Sequence, residues 1–109
     1  MTKTKKLKSF PGYEIYNDGR VFSLKTNRFL LAGLNSDGYK IVCLMKDGRK
    51  VMKRVSRLVC QAFKRCPKPG ETVNHINEIK TDDSESNVEW CSVRVNIRKY
   101  WENKRRMAV

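Results

Sequence analysis

The first half of the chain alternates short apolar runs with turns that contain glycine. The turns are Asn17-Asp18-Gly19, Ser36-Asp37-Gly38 and Asp47-Gly48. Glycine tolerates the backbone angles of tight hairpin turns, and the runs between these turns are rich in β-branched and aromatic residues, so the pattern predicts antiparallel strands. We expect one small antiparallel sheet whose strands cover residues 13–16, 20–24, 39–45 and 50–54.

The spacing of apolar residues changes to a helical period after Ser56. The apolar positions are Leu58, Val59, Ala62 and Phe63. Ser56 precedes them and is of a residue type that caps the first turn of a helix. The predicted helix ends before residues 66–70, because the two prolines in that stretch cannot continue a helix or a central strand.

The remainder of the chain reads as two strands and a helix. The strand candidates cover residues 73–76 and 87–91, and a polar stretch, 77–86, joins them. Ser92 can cap a last helix that runs to about Lys104. Val93, Ile97, Tyr100 and Trp101 should form the buried stripe of that helix. The sequence therefore predicts an α+β fold, with a β-rich module over residues 1–54 and a second unit over 55–109, packed as one compact chain.

The chain is short and strongly basic. Its 109 residues contain 24 Lys and Arg against 11 Asp and Glu, a formal net charge of +13. Such a charge opposes compaction through self-repulsion, and a polyanion would relieve it, so nucleic acid is the indicated partner. A solvated basic surface of the ribosomal-protein kind is the alternative. No apolar run approaches the roughly 20 residues of a membrane span, and we expect a soluble cytoplasmic protein.

The four cysteines are scattered and include no C-x-x-C pair. Cys43, Cys60 and Cys91 lie in apolar runs, which predicts reduced thiols in the core. A structural zinc site is the less favoured alternative.

A lone histidine and three asparagines are the candidate site residues. His75 is the single histidine of the chain, and a neutral imidazole accepts a proton from water at physiological pH. Amide oxygens of Asn74 and Asn96 suit a hard cation such as Mg²⁺, and the amide of Asn87 can bridge the ends of the polar stretch. These residue types suit metal-assisted phosphodiester hydrolysis. The alternative is that each has a structural role, as lone histidines and loop asparagines usually have.

The order of these residues resembles a known motif. The segment VNHINEIKTDDSESNVEWCSVRVNI, residues 73–97, is similar to the HNH motif of phage-type homing endonucleases. There a run V-[DN]-H-x-D-G-x-K-x-N-N-x-x-x-N-L-x-W precedes an asparagine in the next helix. Upstream, PGYE at 11–14, NDGRVFS at 17–23, DGY at 37–39 and RLV with AF within 57–63 resemble the DNA-contacting module that precedes HNH domains. The similarity spans about residues 8 to 100.

The resemblance implies a ββα-metal fold and a metal-dependent DNA endonuclease. His75 would be the general base, Asn87 the clamp of the loop, and Asn74 and Asn96 the ligands of Mg²⁺ or Mn²⁺. The substrate would be double-stranded DNA, cut to 5′-phosphate and 3′-hydroxyl ends in the cytoplasm of a phage host. One active site acting as a monomer would nick one strand, and a protein partner is a further source of sequence specificity.

The chain departs from the family pattern in its motif loop. Asn74 replaces the aspartate of many relatives, so the implied ligands carry no charge and we expect weak metal binding without DNA. Asn77-Glu78 replaces Asp-Gly, which removes a permissive glycine. Asp82 and Asp83 replace Asn-Asn. We expect these two acids in a solvated loop, with assistance to the metal as the alternative.

The basic residues on the turns, the strands and the last helix are the expected DNA contacts, mainly to phosphates. They are Arg20, Lys25, Arg28, Lys40, Arg49, Lys53, Arg54, Lys80, Arg94, Arg98 and Lys99. Two alternatives to a specific nuclease stay open. One is a catalytically inactive HNH-fold DNA-binding accessory or regulatory protein of a phage, and the other is a nonspecific nuclease.

Overall fold

The structure, a computed structural model, describes residues 2–107, with side chains described through residue 102. Within this range the strands are β1 (Thr4–Leu7), β2 (Phe10–Tyr16), β3 (Val21–Ser23), β4 (Arg28–Phe29), β5 (Gly33–Leu34), β6 (Lys40–Lys46), β7 (Arg49–Arg54), β8 (Glu71–His75) and β9 (Val88–Ser92). The helices are α1 (Val55–Phe63) and α2 (Val93–Met107), and a short 3-10 turn, Glu85–Asn87, precedes β9. The predicted α+β class is confirmed.

The strands of the first half form two antiparallel sheets, so the prediction of one sheet is wrong. The first sheet has the order β1-β2-β3-β4 and the second the order β5-β6-β7. The chain leaves the first sheet through β4 and enters the second through β5, and residues 30–32 between them belong to neither ladder. The sheets still meet, because the Met45 backbone N–H donates a 2.8 Å hydrogen bond to the Tyr13 hydroxyl.

The hairpin of β6 and β7 shows how alternation sorts the side chains. Asp47 and Gly48 both have positive φ, 52° and 75°, which suits a two-residue hairpin turn. Val42 and Leu44 point into the core, whereas Cys43 between them is exposed. The prediction of Cys43 as a core thiol is therefore wrong, because successive strand residues face opposite sides. Cys60 and Cys91 are buried, as predicted.

Helix α1 packs against strands from both halves of the chain. It begins directly after β7, with Arg54 in the N-cap position and no side-chain cap. The predicted cap by Ser56 is wrong, since this serine lies inside the first turn and is buried. Leu58 and Val59 join Ile15, Leu44 and Val88 in a shared core. The site in the second half therefore rests on the same core as the N-terminal sheets.

Helix α2 packs on the β8–β9 hairpin. The Ser92 hydroxyl accepts a 3.1 Å hydrogen bond from the Val95 backbone N–H, which confirms the predicted cap. The predicted buried stripe is wrong, because its four apolar side chains are 47 to 58% exposed. The partly buried positions of the helix include Val95, Asn96 and Lys99 instead. A two-stranded hairpin offers one narrow surface, and the helix turns a partly polar face to it. None of the helices described is long and apolar enough to cross a bilayer.

Candidate active site

His75 ends strand β8 in a buried position. It is 7% exposed, and its Nε2 lies 2.7 Å from Oδ1 of Asp83, which is 3% exposed. The other carboxylate oxygen of Asp83 has no hydrogen-bond partner in the described part of the chain. The expectation that Asp83 belongs to a solvated loop is therefore wrong. The polar stretch after β8 folds back and places this acid against the imidazole.

The contact with Asp83 determines which nitrogen of the His75 imidazole carries a hydrogen. A carboxylate only accepts hydrogen bonds, so Nε2 of His75 carries the hydrogen that points at Asp83. The neutral ring then keeps Nδ1 as its basic nitrogen. When the ring gains a proton, the buried carboxylate stabilises the imidazolium by a charge-assisted hydrogen bond. This arrangement suits an oriented general base.

Tyr39, which directly precedes β6 of the second sheet, stacks on the imidazole. The two ring centroids are 5.7 Å apart and the planes differ by 29°. The guanidinium of Arg54 lies 4.4 Å and Nζ of Lys80 5.1 Å from the centroid of the Tyr39 ring. Sequence reasoning missed the contact between Tyr39 and His75, although Tyr39 belongs to the Asp-Gly-Tyr signature. The N-terminal module thus supplies one wall of the site and the cation Arg54, and the loop after β8 supplies the cation Lys80.

The first hairpin turn supports Asp83 from behind. Gly19 has a φ of +95°, and a Cβ at this position would lie 3.2 Å from the Asp83 Cβ. The Glu85 backbone N–H also donates a 2.7 Å hydrogen bond to the Asn17 carbonyl. Glycine suits this approach because a side chain would be strained at this backbone angle, and its Cβ would require Asp83 to shift.

Asn87 connects the two ends of the motif loop. Its Oδ1 accepts a 3.0 Å bond from the Asn77 backbone N–H, and its Nδ2 donates to Oδ1 of Asn77 at 2.9 Å and to the Asp82 carbonyl at 2.8 Å. Its backbone carbonyl accepts from the Ile76 N–H at 2.8 Å. Glu78, in the place of the family glycine, has a φ of 65°. The loop therefore keeps the left-handed turn that the family glycine would favour.

Asn74 lies on the opposite face of β8 from His75, as alternation along a strand requires. Its Nδ2 donates a 3.0 Å hydrogen bond to Oε1 of Glu89, its partner on β9. Nζ of Lys99 from α2 lies 3.2 Å from the same oxygen. The hydrogen bond from Asn74, with a smaller contribution from Lys99, lowers the pKa of Glu89. The Glu89 side chain is therefore a charged carboxylate at neutral pH and at mildly acidic pH.

Asn96 is partly buried on α2, three residues before Lys99. Residues three apart share a helix face, so Asn96 belongs to the helix face from which Lys99 reaches Glu89. No three His, Cys, Asp or Glu side chains cluster as metal ligands within residues 2–107. The oxygen atoms of two carboxamides and a neighbouring carboxylate fit a hard cation of the Mg²⁺ or Mn²⁺ type.

The predicted DNA contacts fall into two groups by exposure. Arg20, Lys25, Arg28, Arg49, Lys80, Arg94 and Arg98 are exposed, and Lys40, Lys53, Arg54 and Lys99 are partly buried. Arg20 pairs with Asp18 at 2.9 Å, and Lys80 donates to the Asp37 carbonyl at 2.9 Å. Among the eleven, Arg54 and Lys80 lie over the ring of Tyr39, which stacks on the imidazole.

Comparison with known proteins places this geometry in a family. Residues 5–45 match the NUMOD4 motif model. The chain is 30% identical over 94 residues to DNA endonuclease I-HmuI of Bacillus phage SP01, covering 85% of this chain and 54% of that protein. It is 33% identical over 85 residues to an uncharacterized HNH endonuclease, L245, of Acanthamoeba polyphaga mimivirus, covering 78% of this chain and 26% of that protein. This chain therefore covers little more than half of the length of the first relative and about a quarter of the length of the second.

A solved structure extends the match to three dimensions. It is described as "DNA binding and cleavage by the HNH homing endonuclease I-HmuI", and it superposes with a TM-score of 0.87 at 27% identity. The superposition covers 94% of this chain and 59% of the solved one. Motif order, relatives and fold agree, and the chain belongs to the HNH endonuclease family.

Proposed function

We propose that this chain is a divalent-metal-dependent DNA endonuclease that hydrolyses phosphodiester bonds in duplex DNA. The observation that carries the proposal is the buried pair of His75 and Asp83 at the end of β8, with Tyr39 stacked on the imidazole. A fixed base with the cations Arg54 and Lys80 over the ring that stacks on it suits water-mediated cleavage of a polyanion.

His75 acts as the general base in this proposal. Nδ1 of the neutral imidazole takes a proton from the attacking water, while Nε2–H stays hydrogen-bonded to Asp83. The carboxylate stabilises the imidazolium formed in that step, and Tyr39 restricts rotation of the ring. Asn74 and Asn96 would hold Mg²⁺ or Mn²⁺, which would supply positive charge for the scissile phosphate and its leaving oxygen. The products carry 5′-phosphate and 3′-hydroxyl ends.

The basic residues position the duplex. Arg54 and Lys80 lie over the Tyr39 ring, which stacks on the imidazole, and we propose that they contact the phosphates that flank the cleaved bond. The remaining predicted contacts extend the footprint over the N-terminal sheets and α2. Binding dominated by phosphate contacts weakens steeply with salt. A single site in a monomer nicks one strand.

Relaxation of supercoiled plasmid tests the proposal. The wild-type chain should nick plasmid with Mg²⁺ or Mn²⁺, lose activity with chelator, and lose it with His75→Ala. A gel-shift titration and a circular dichroism spectrum of the variant should show that it still folds and binds DNA. Nicking that survives the removal of His75 contradicts the base assignment. Degradation of the plasmid without discrete products identifies a nonspecific nuclease instead.

The rival function is a DNA-binding protein of the same fold without catalysis. The neutral Asn74 favours it, because this position carries no charge of its own for a metal. The same assay separates the two functions. The rival predicts a gel shift at low salt and no plasmid relaxation with any divalent cation tested.

A further inference from the structure

Glu89 lies directly across the hairpin from Asn74. Their Cα atoms are register partners, and opposite residues of an antiparallel pair present their side chains on the same face, with Cβ atoms about 5 Å apart. The 3.0 Å bond between them uses the amide nitrogen of Asn74 and one carboxylate oxygen of Glu89. The amide oxygen of Asn74 is not consumed by this contact. Two oxygen donors, one of them anionic, thus lie side by side.

Helix α2 brings further groups to the same face. Nζ of Lys99 lies 3.2 Å from Oε1 of Glu89, which shows that this face of the helix lies over the carboxylate. Asn96 is on that face, one turn earlier. His75 points away from these groups, toward Asp83. The hairpin therefore carries the base on one face and the oxygen donors on the other.

The two carboxamide side chains proposed as metal ligands carry no negative charge. Hard divalent cations bind oxygen ligands, and their affinity rises with the number of charged ligands. Asn74 and Asn96 contribute none. Glu89 is a carboxylate in hydrogen-bond contact with one of these asparagines, and it is 41% exposed at its side chain, so a cation can reach it from solvent. The ammonium of Lys99 and a divalent cation would compete for the same carboxylate.

We infer that Glu89 is a ligand of the divalent metal, supplying from strand β9 the negative charge that position 74 lacks. Lys99 is the counter-ion that the metal displaces from it. The inference rests on the proposed function, because it assigns a further ligand to the metal site of that nuclease.

Binding of Mn²⁺ to the intact protein without DNA tests the inference, followed by electron paramagnetic resonance of free Mn²⁺ and by calorimetry. Glu89→Gln should weaken Mn²⁺ binding about tenfold or more, as the loss of a ligand requires. Lys99→Gln should tighten it several-fold. Asp47→Asn is the matched control, since this exposed acid in the turn between β6 and β7 loses the same charge away from the site. It should change affinity by less than about twofold.

A double variant distinguishes a ligand from a structural residue. Asn74→Asp combined with Glu89→Gln returns one carboxylate to the same face, so it should restore affinity to near the wild-type value. Thermal denaturation of each variant shows whether it folds. Equal Mn²⁺ affinity for the wild type, Glu89→Gln and Asp47→Asn overturns the inference. So does the absence of binding by the wild type up to about 10 mM Mn²⁺, because even weak carboxylate sites bind in the millimolar range.

The outcomes separate this inference from the proposed function. DNA nicking by the wild type, with Mn²⁺ binding unchanged by Glu89→Gln, leaves the nuclease in place and removes Glu89 from its ligands. Mn²⁺ binding that depends on Glu89, with no nicking under any metal, keeps the ligand and removes the nuclease.

Discussion

Removal of the Asp83 carboxylate should affect both stability and catalysis. In Asp83→Ala the Nε2–H of His75 loses its buried acceptor, and a buried donor without a partner costs about 1–3 kcal/mol. One carboxylate oxygen of Asp83 already lacks a hydrogen-bond partner in the described chain, so relief of its burial offsets part of this cost. We expect a net loss of about 2 kcal/mol in the free energy of unfolding. Urea denaturation measures it.

The catalytic effect should exceed the effect on stability. Without the acceptor, the neutral imidazole no longer holds its hydrogen on Nε2, and the imidazolium formed during cleavage loses its counter-charge. An oriented general base contributes about 10²–10⁴-fold to a rate, and Asp83→Ala should lose most of that factor. Asp83→Asn keeps an acceptor oxygen but no charge, so its rate should fall between the wild type and Asp83→Ala.

Single-turnover nicking and the imidazole nitrogen spectrum test this reasoning together. His75 is the single histidine, so a long-range ¹H–¹⁵N correlation spectrum reports its tautomer without overlap. Asp82→Asn is the control, because Asp82 bonds to Asn77 and Ser84 rather than to His75. It should leave the tautomer unchanged. A wild-type nicking rate in folded Asp83→Ala, or an unchanged tautomer, would refute the role of the carboxylate.

Three further predictions concern other parts of the fold. Gly19→Ala puts a side chain on a left-handed backbone position and brings its Cβ against Asp83. It should lower the free energy of unfolding by about 1–2 kcal/mol and slow nicking; an unchanged melting temperature would contradict the close approach. The side-chain hydrogen bond from Arg65, followed by the backbone hydrogen bond from Lys68, lowers the pKa of Glu71 to about 2. Its contribution to stability is therefore complete above about pH 4.5 and is lost as the pH falls toward 2. The urea midpoint of the wild type should fall more over this pH range than that of Glu71→Gln. An equal fall in the two proteins would contradict this contribution of Glu71. Burial raises the pKa of the Cys60 thiol to about 12, so native protein at pH 8 should leave Cys60 unlabelled by iodoacetamide while the exposed thiols react. Peptide mass spectrometry detects the label, and rapid labelling of Cys60 would show that this core opens.

The sequence determined the features that depend on neighbouring residues. Glycine turns predicted the hairpins, the apolar spacing predicted α1, and Ser92 was recognisable as the cap of α2 because capping involves only the next turn. The order of the motif residues predicted the family. Ser56 shows the limit of this reasoning, since it has the chemistry of a cap but lies inside a helix that begins directly from a strand.

Tertiary structure decided which distant groups meet. His75 and Asp83 are eight positions apart in the chain, and they pair because the loop between them folds back. The contact of Asn74 with Glu89 depends on the register of two strands. Tyr39 reaches the imidazole because α1 and a shared core hold both halves together. The apolar residues of α2 are exposed because the hairpin is narrow, which helical periodicity does not reveal. Local pattern fixes the direction in which each side chain leaves the backbone, and packing alone fixes what it then contacts.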